Sequence, residues 1–235
     1  PKTAGIAGEA IKSAVGRLTP HLQQLLALKL WQLTANEGSS RLGVAAVLEL
    51  AGSDPKPLLR RASRREIGKQ AEVVGAIPPW SPLEIASNSP IQYRFDNRSD
   101  RPVYFLLVGV DANGKAVMLY SSQPLLPKAS LTLPATGNRP DRQSGLVQMQ
   151  AIFATAPFSR IEEVLKGDNQ FVLERQQQQP LLQPLNCATA LLQDLQAASA
   201  VPSNILSGAT DVFALDVRQW ASFCFVYRVT EPSEN

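Results

Sequence analysis

The chain has few of the side chains on which most enzymes depend for their chemistry. Its 235 residues include one histidine, His21, and two cysteines, Cys187 and Cys224. A Ser-His-Asp or Cys-His catalytic arrangement has to use His21, because its nucleophile needs a neighbouring imidazole base. Two thiols do not make a disulfide framework, and together with one histidine they do not supply a zinc site. We expect a non-catalytic chain in a reducing setting, the cytoplasm.

The two cysteines differ in their sequence surroundings. Cys224 lies between Phe223 and Phe225 in a predicted strand, which is typical of a small core residue. Cys187 lies at the predicted start of a helix, where the helix terminus can lower the pKa of a thiol. A dyad of His21 and Cys187 is therefore the catalytic alternative, although a buried structural cysteine is the prediction that we favour at both positions.

Motifs that bind phosphate or calcium, and segments that enter membranes, are also missing. The chain contains neither GxxxxGK[ST] nor GxGxxG, the patterns that bring backbone N–H groups close to phosphates. Residues 111–114 resemble the opening of a calcium loop, but no glutamate follows at the twelfth position. No apolar run approaches the roughly 20 residues of a membrane span, and the start at Pro1 shows no signal-peptide pattern. We expect no cofactor, no metal and no membrane contact, and a fragment or processed chain.

The charge balance is only weakly basic. With 23 lysines and arginines against 20 acidic residues, the net charge is +3, which does not favour nucleic acid as a partner. The basic residues are scattered apart from one cluster in the proline-rich residues 52–82, formed by Arg60, Arg61, Arg64 and Arg65. We interpret residues 52–82 as a linker, with a short helix as an option in its basic part. The arginines form either a solvated surface or a processing site, because proteases cut exposed polar linkers.

Residues 91–120 have the strongest pattern in the chain. They read IQYRFDNRSDRPVYFLLVGVDANGKAVMLY, which predicts three strands and two turns. Residues 91–95 alternate large apolar and polar side chains, as in a strand with one buried face. Residues 103–110 are apolar almost throughout, which is typical of a strand covered on both faces. Gly114 then favours a hairpin turn, because glycine adopts positive φ without strain.

Helices and further strands are predicted on both sides of these residues. Helical spacing of apolar residues predicts helices over residues 5–17, from Thr19 and Pro20 to about residue 35, over 160–166 and over 185–200, with Thr19 and Ser159 as capping residues. The apolar positions of the second helix are Leu22, Leu25, Leu26, Leu30 and Leu33, with Gln23 and Lys29 on its other side. Strands are predicted over residues 42–50, 131–133, 145–155, 211–217 and 221–229. The sequence thus predicts an α+β fold, mainly an antiparallel immunoglobulin-like β-sandwich with N-terminal helices and a helix near the C-terminus. We divide it into residues 1–51, the linker of residues 52–82 and a sandwich of residues 83–235.

Segments spread along the chain carry a family resemblance. They read GEAIK at residues 8–12, RLTP at 17–20, ALKLW at 27–31, NEGSSRLGV at 36–44, IQYR at 91–94, DRPVYF at 100–105 and ASAVP at 198–202, and residues 211–227 are also similar. The chain resembles, over nearly its whole length, the C-terminal accessory region of cyanobacterial caspase-like proteins, the orthocaspase or bacterial metacaspase-like peptidase family. In that family the catalytic histidine precedes a glycine and the cysteine has an Asp-x-Cys context. Here Leu22 follows His21 and Asn186 precedes Cys187, so no catalytic residue is transferred.

The resemblance implies that the chain is the non-catalytic partner of a cysteine endopeptidase domain that cleaves after arginine or lysine. The chain is then expected to pack on, regulate or target that domain through its sheet and first helices. The basic run at residues 60–65 is then a candidate self-processing site. The alternative is an independent protein-binding β-sandwich that recruits other proteins or substrates to the peptidase. A third reading is an enzyme in its own right, acting through His21 and Cys187.

Overall fold

A computed structural model describes residues 11–63, 82–134, 144–168, 178–199, 216 and 218–231 of the chain. Three helices lie in these ranges, namely α1 (Ile11–Leu33), α2 (Ser159–Lys166) and α3 (Pro184–Ser199). The strands are β1 (Val44–Leu50), β2 (Lys56–Ala62), β3 (Leu83–Ala86), β4 (Ile91–Asn97), β5 (Tyr104–Val110), β6 (Ala116–Tyr120), β7 (Ser130–Pro134), β8 (Gly145–Ala154), β9 (Gln179–Pro180) and β10 (Trp220–Thr230). The fold is α+β and rich in strands, as the sequence predicts.

The strands form two sheets that are mostly antiparallel. The first sheet has four strands in the order β2-β1-β4-β7, and the second has six in the order β3-β10-β8-β5-β6-β9. Among the strand pairs of the described ranges, only β3 and β10 are parallel. Strands that follow one another in the chain often change sheet, since β4 and β7 belong to the first sheet while β5, β6 and β8 belong to the second. The chain therefore crosses repeatedly between the sheets.

Aromatic side chains join the two sheets into one core. Phe95 of β4 packs against Phe105 and Phe153 of the second sheet, with ring centroids 5.1 and 5.5 Å apart. Tyr93 of β4 meets Phe225 of β10 at 5.6 Å. These separations are typical of favourable tilted and edge-to-face aromatic pairs. The other side of the second sheet carries a second buried cluster, to which all three helices contribute. The molecule thus has three layers: the first sheet, the second sheet and the helices.

The strands predicted in residues 91–120 are confirmed, but they do not lie in one sheet. β4 belongs to the first sheet, whereas β5 and β6 form a hairpin in the second. Gly114 has a φ of +72° in the hairpin turn, and the Asp111 carboxylate accepts hydrogen bonds from the N–H groups of Asn113 and Lys115. β5 is buried on both faces, as predicted, because it lies between the first sheet and the helices. The polar turn after β4 is a crossover between the sheets.

The prediction of two separate helices, over residues 5–17 and from Thr19 onward, is wrong. α1 is one helix with Pro20 inside it. Proline removes a helical N–H and crowds the carbonyl four residues earlier. That residue is Gly16, around which there is open space. Thr19 does not cap a second helix, because its hydroxyl donates to the carbonyl of Val15 over 2.8 Å. Residues 5–10 of the first predicted helix lie outside the described residues.

The predicted linker is wrong at its start. Lys56–Ala62 form β2, which pairs with β1 along its length, so Arg60 and Arg61 lie in a strand. Leu58 and Leu59 pack against the core between the sheets, and this burial is the reason why so polar a segment joins the first sheet. The remainder of the linker, including Arg64 and Arg65, lies outside the described residues, as does most of the predicted strand at residues 211–217.

Helix α2 is confirmed, but its predicted cap is wrong. Ser159 is the first residue of the helix and not its cap. The Asp194 carboxylate of α3 instead accepts hydrogen bonds from the backbone N–H groups of Arg160 and Ile161, each over 3.0 Å. A side chain from another helix thus satisfies N–H groups that the start of a helix leaves unpaired. Burial raises the pKa of Asp194, and these hydrogen bonds act in the opposite direction.

A buried polar network holds the end of α1 on the second sheet. The Ser222 hydroxyl of β10 lies 2.9 Å from the Thr34 hydroxyl and accepts a hydrogen bond of 2.7 Å from the Gln150 amide. The Asn36 side chain accepts a hydrogen bond of 2.8 Å from the Ser222 N–H and donates one of 3.2 Å to the carbonyl of Trp220. Buried polar groups with partners of this kind fix the chain in one arrangement. The network therefore determines how α1 lies on the sheet.

Candidate docking surface

Apolar side chains are exposed along one side of α1. Six of them are 50–83% exposed, namely Ile11, Val15, Leu22, Leu25, Leu26 and Leu33. Their spacings of three, four and seven residues place them on one face of a helix with 3.6 residues per turn. We call these six residues the α1 outer face. Clustered exposed apolar side chains are typical of surfaces that bind another protein or a membrane.

The opposite side of α1 is packed into the protein. Ala27 and Trp31 are fully buried in the cluster between the helices and the second sheet, together with Cys187 and Leu191 of α3. The Gln24 amide donates a hydrogen bond to the carbonyl of Gly114 in the β5–β6 turn. These contacts attach one side of the helix to the fold and leave the α1 outer face turned to solvent.

The charge of α1 has one sign. The helix carries Lys12, Arg17 and Lys29, and His21 as well, but none of its 23 residues is aspartate or glutamate. Lys29 lies seven residues from Leu22 and four from Leu25 and Leu33, so helical spacing places it on the α1 outer face. A surface that is apolar and basic favours a partner with apolar and acidic groups, because charges of opposite sign are matched across specific interfaces.

The sequence indicates the apolar residues of α1 but not their exposure. Helical spacing predicted Leu22, Leu25, Leu26, Leu30 and Leu33 as the apolar side of the helix, with Gln23 and Lys29 on the other side. Lys29 instead shares the face of Leu22, Leu25 and Leu33. The residues that are buried, Ala27 and Trp31, were missed. The signal that distinguishes the two sides is the lysine among the leucines, since a charged residue is rarely buried without a partner.

The residues of the catalytic alternative lie in unlike surroundings. His21 is exposed on α1, whereas Cys187 is buried in α3. Burial, and after it the charge of Asp168, raises the pKa of the Cys187 thiol to about 12, the opposite of the change expected at a helix terminus. Cys224 was predicted as a core residue but is only half-buried beside Gln148, and burial raises its pKa as well. Neither thiol has the lowered pKa of a nucleophilic cysteine.

Two arginines of the candidate processing site are held in the fold. Arg60 and Arg61 are half-buried in β2, where they lie opposite Val47 and Ala46 of β1. The Arg61 guanidinium is 3.6 Å from the Glu37 carboxylate. Because proteases cut exposed segments with few contacts, cleavage after either arginine requires β2 to separate from β1.

A cavity opens between the two sheets beside β6 and β7. Its volume is about 430 Å³, and its apolar walls include Phe105, Leu119, Leu125, Leu131 and Leu133. A second recess of about 240 Å³ lies nearby and is lined by charged residues, namely Arg94, Asp96, Arg98 and Lys128. Ala129 and Ser130 line both. The apolar cavity and the charged recess are therefore neighbours at the start of β7.

Within the described ranges, no group of three or more histidine, cysteine, aspartate or glutamate side chains is placed to hold a metal ion. No helix in those ranges combines the length and the apolar character needed to cross a bilayer. The chain was compared with models of protein families, with curated proteins and with solved structures, and none of them matches it. A functional conclusion therefore has to come from the residues of the chain itself.

Proposed function

We propose that the chain is the non-catalytic accessory domain of a caspase-like cysteine endopeptidase specific for arginine and lysine, and that the α1 outer face docks on the peptidase domain. The observation that carries the proposal is the exposure of its six apolar side chains, which ranges from 50% to 83%. Removing such side chains from water is favourable, by about 1.5–3 kcal/mol for a fully buried leucine. The family resemblance supports the identity of the partner, and two resembling segments, residues 17–20 and 27–31, lie in α1.

Charge decides which kind of surface fits the α1 outer face. A second copy of the chain is disfavoured, because two of these faces together would have Lys29 from each copy and no carboxylate from either helix to match it. The proposed partner surface is an apolar groove on the peptidase domain with aspartate or glutamate at its rim. Helix-in-groove recognition of this kind reads apolar residues at spacings of three, four and seven, which are the spacings of the α1 outer face.

We further propose that the two sheets form an immunoglobulin-like sandwich that serves as the scaffold for α1. In that architecture one sheet contains the strand order A-B-E and the other the order G-F-C-C′. When these strands are lettered in chain order, β1, β4 and β7 take the places of A, B and E. In the same lettering, β10, β8, β5 and β6 take the places of G, F, C and C′. The aromatic contacts of Phe95 with Phe105 and Phe153 support packing of the two sheets face to face.

Isothermal titration calorimetry tests the proposal, with the 235-residue chain titrated into the peptidase domain of the same protein. A triple variant, Leu22→Gln, Leu25→Gln and Leu26→Gln, keeps good helix formers in α1 and removes three leucines of the α1 outer face. We expect its Kd to rise by about 100-fold, because a few apolar anchors dominate most interfaces. The unfolding temperature is expected to stay close to that of the wild type, because all three side chains are exposed.

An exposed leucine elsewhere provides the matched control. Leu146 is 50% exposed on β8, and the variant Leu146→Gln is expected to bind like the wild type. If the triple variant binds as tightly as the wild type, docking does not use the α1 outer face. If the wild-type chain does not bind the peptidase domain, the proposed function is wrong.

The proposed function includes processing at the basic run and a cytoplasmic setting. Two free thiols, Cys187 and Cys224, are consistent with a reducing compartment. Cleavage after Arg60, Arg61, Arg64 or Arg65 is tested by incubating the chain with the active peptidase domain and mapping new amino termini by mass spectrometry. Because Arg60 and Arg61 lie in β2, we expect their cleavage to be slower in the folded chain than in the unfolded chain. A chain that remains intact in both states excludes processing there.

A further inference from the structure

The free side of β7 combines three features that bind extended peptides. β7 is at the edge of the first sheet, and in the described part of the chain only β4 pairs with it. The apolar cavity of about 430 Å³ opens on the interior side of β7, and the charged recess of about 240 Å³ lies beside its first residue, Ser130. An unpaired edge, a side-chain pocket and a charged site are the elements by which a sheet captures an added strand.

The register of β7 shows which of its backbone groups have no partner in β4. The Asn97 N–H donates to the carbonyl of Ala129 over 2.9 Å, and the pairing continues with Leu131 opposite Phe95 and Leu133 opposite Tyr93. Hydrogen-bonded pairs alternate along an antiparallel ladder, so the backbone groups of Ser130 and Thr132 point away from β4. Both residues are exposed. They can therefore exchange hydrogen bonds with an added strand.

The two sides of β7 differ in chemistry. Leu131 and Leu133 face the core between the sheets and line the apolar cavity. The Ser130 hydroxyl donates to the Asp96 carboxylate over 2.7 Å on the other side, where Asp96 also lies 3.6 Å from both Arg94 and Arg98. Arg94, Arg98 and Lys128 line this recess together with the Asp96 carboxylate, and Arg94 also pairs with the Glu49 carboxylate over 3.3 Å. The exposed Lys128 ammonium donates to the backbone carbonyl of Arg98 and has no carboxylate partner among the described residues. Lys128 therefore favours an added anion in this recess.

We propose that β7 binds an extended peptide in which a large apolar residue is followed or preceded by an acidic residue. Successive side chains of a strand point to opposite faces. A peptide strand beside β7 therefore places one side chain in the apolar cavity and its neighbour near Lys128. The cavity volume lies in the lower part of the range of about 300–1,000 Å³ found for ligand pockets, and it accommodates one leucine or aromatic side chain. This site is separate from the α1 outer face and does not depend on it.

Fluorescence anisotropy with a labelled heptapeptide of alternating phenylalanine and aspartate tests the proposal on the 235-residue chain. We expect this probe to bind about tenfold more tightly than the same peptide with lysine in place of aspartate, because of charge complementarity. Thr132→Pro removes an N–H that points away from β4, a position where an edge strand tolerates proline, and is expected to weaken binding at least about tenfold. Lys128→Gln is expected to weaken the aspartate probe about threefold and to leave an asparagine version of the probe unaffected.

Two further variants make the result decisive. Lys115→Gln, at an exposed lysine in the β5–β6 turn, is expected to leave the Kd unchanged. Leu126→Asp changes a 62% exposed residue at the mouth of the cavity. It is expected to weaken binding of the phenylalanine probe without disturbing the core, and it replaces Thr132→Pro if that variant does not fold. The proposal is overturned if no probe binds at about 1 mM or if neither β7 nor Lys128 variants change the Kd. If the chain self-associates and Thr132→Pro abolishes that self-association, the occupant of β7 is a second copy of the chain and the proposal is overturned.

Discussion

The two sides of α1 have similar apolar content and opposite surroundings. Trp31 and Ala27 on the inner side are 1% and 0% exposed, whereas Leu22 and Leu25 on the outer side are each 62% exposed. The inner side packs on the second sheet and α3. The outer side has the same kind of residues and a lysine but nothing in the described structure that covers it. The difference shows that the helix has more apolar surface than its own fold buries, which is the property expected of a helix with a second partner.

The largest difference in stability between the two sides of α1 is expected at Trp31. Trp31→Ala removes a fully buried indole from the cluster between the helices and the second sheet, and we expect the free energy of unfolding to fall by about 3–5 kcal/mol. Leu25→Ala, its counterpart on the outer side, is expected to change that free energy by no more than about 0.5 kcal/mol. Urea denaturation of both variants measures the difference, and equal losses would mean that the outer side is buried in solution.

The polar network beneath the end of α1 has the next largest expected effect. Ser222→Ala leaves the buried Gln150 amide and Thr34 hydroxyl without one of their partners, and we expect a loss of about 1–3 kcal/mol. Thr189→Ala is the matched control, because its hydroxyl is exposed and bonds within its own helix to the carbonyl of Leu185. The two variants are compared by the same urea titration. If Thr189→Ala is destabilised as much as Ser222→Ala, the network makes no special contribution to stability.

Cys187 reports whether the inner side of α1 stays closed. Because its pKa is raised to about 12, almost no thiolate is present at neutral pH, since the thiolate fraction falls about tenfold for each pH unit below the pKa. We expect iodoacetamide to leave Cys187 unlabelled in the folded protein at neutral pH and to label it in urea, as read by mass spectrometry. Rapid labelling of the folded wild type would show that the cluster containing Trp31 opens readily.

The smallest effect is expected from the lysine on the α1 outer face. Lys29→Gln removes one exposed charge, and an exposed ion pair contributes about 0.2–1 kcal/mol. We therefore expect a rise of about 1.4- to fivefold in the Kd for the peptidase domain, and the effect should disappear at high salt because salt screens surface charges. Lys166→Gln, a lysine of α2 that is 62% exposed, serves as the control. An increase in affinity on removing Lys29 would contradict the acidic rim proposed for the partner.

Much of the sheet structure follows from the sequence because strands carry local patterns. The alternation in residues 91–95, the apolar run that became β5 and Gly114 in the hairpin turn all act over a few residues. The assignment of β4 to one sheet and β5 to the other does not follow, since a local pattern does not identify a strand's neighbours and the choice depends on distant partners such as Phe153 and Phe225. β2 was missed for the same reason, because burial of Leu58 and Leu59 against the core overrides its basic and proline-rich composition.

The candidate site was less predictable than the fold. Helical periodicity indicates that Leu22, Leu25 and Leu26 share a face, but it does not tell which apolar face of α1 the sheet covers. That choice depends on the packing of the large Trp31 side chain in the cluster with the other helices, and on the polar network at Asn36 and Ser222. The cap of α2 by Asp194 was likewise beyond a local pattern, because the carboxylate is more than 30 residues away in the chain.

Photo-crosslinking tests the central claim most directly. Benzoylphenylalanine is introduced at Leu25 on the α1 outer face and, in a separate variant, at Leu146, which is 50% exposed on β8. After irradiation of the complex with the peptidase domain, mass spectrometry identifies the residues that each probe has reached. The account predicts crosslinks from position 25 to an apolar groove of the peptidase domain with aspartate or glutamate at its rim, and none from position 146. Crosslinks from position 146 but not from position 25 would contradict docking through α1.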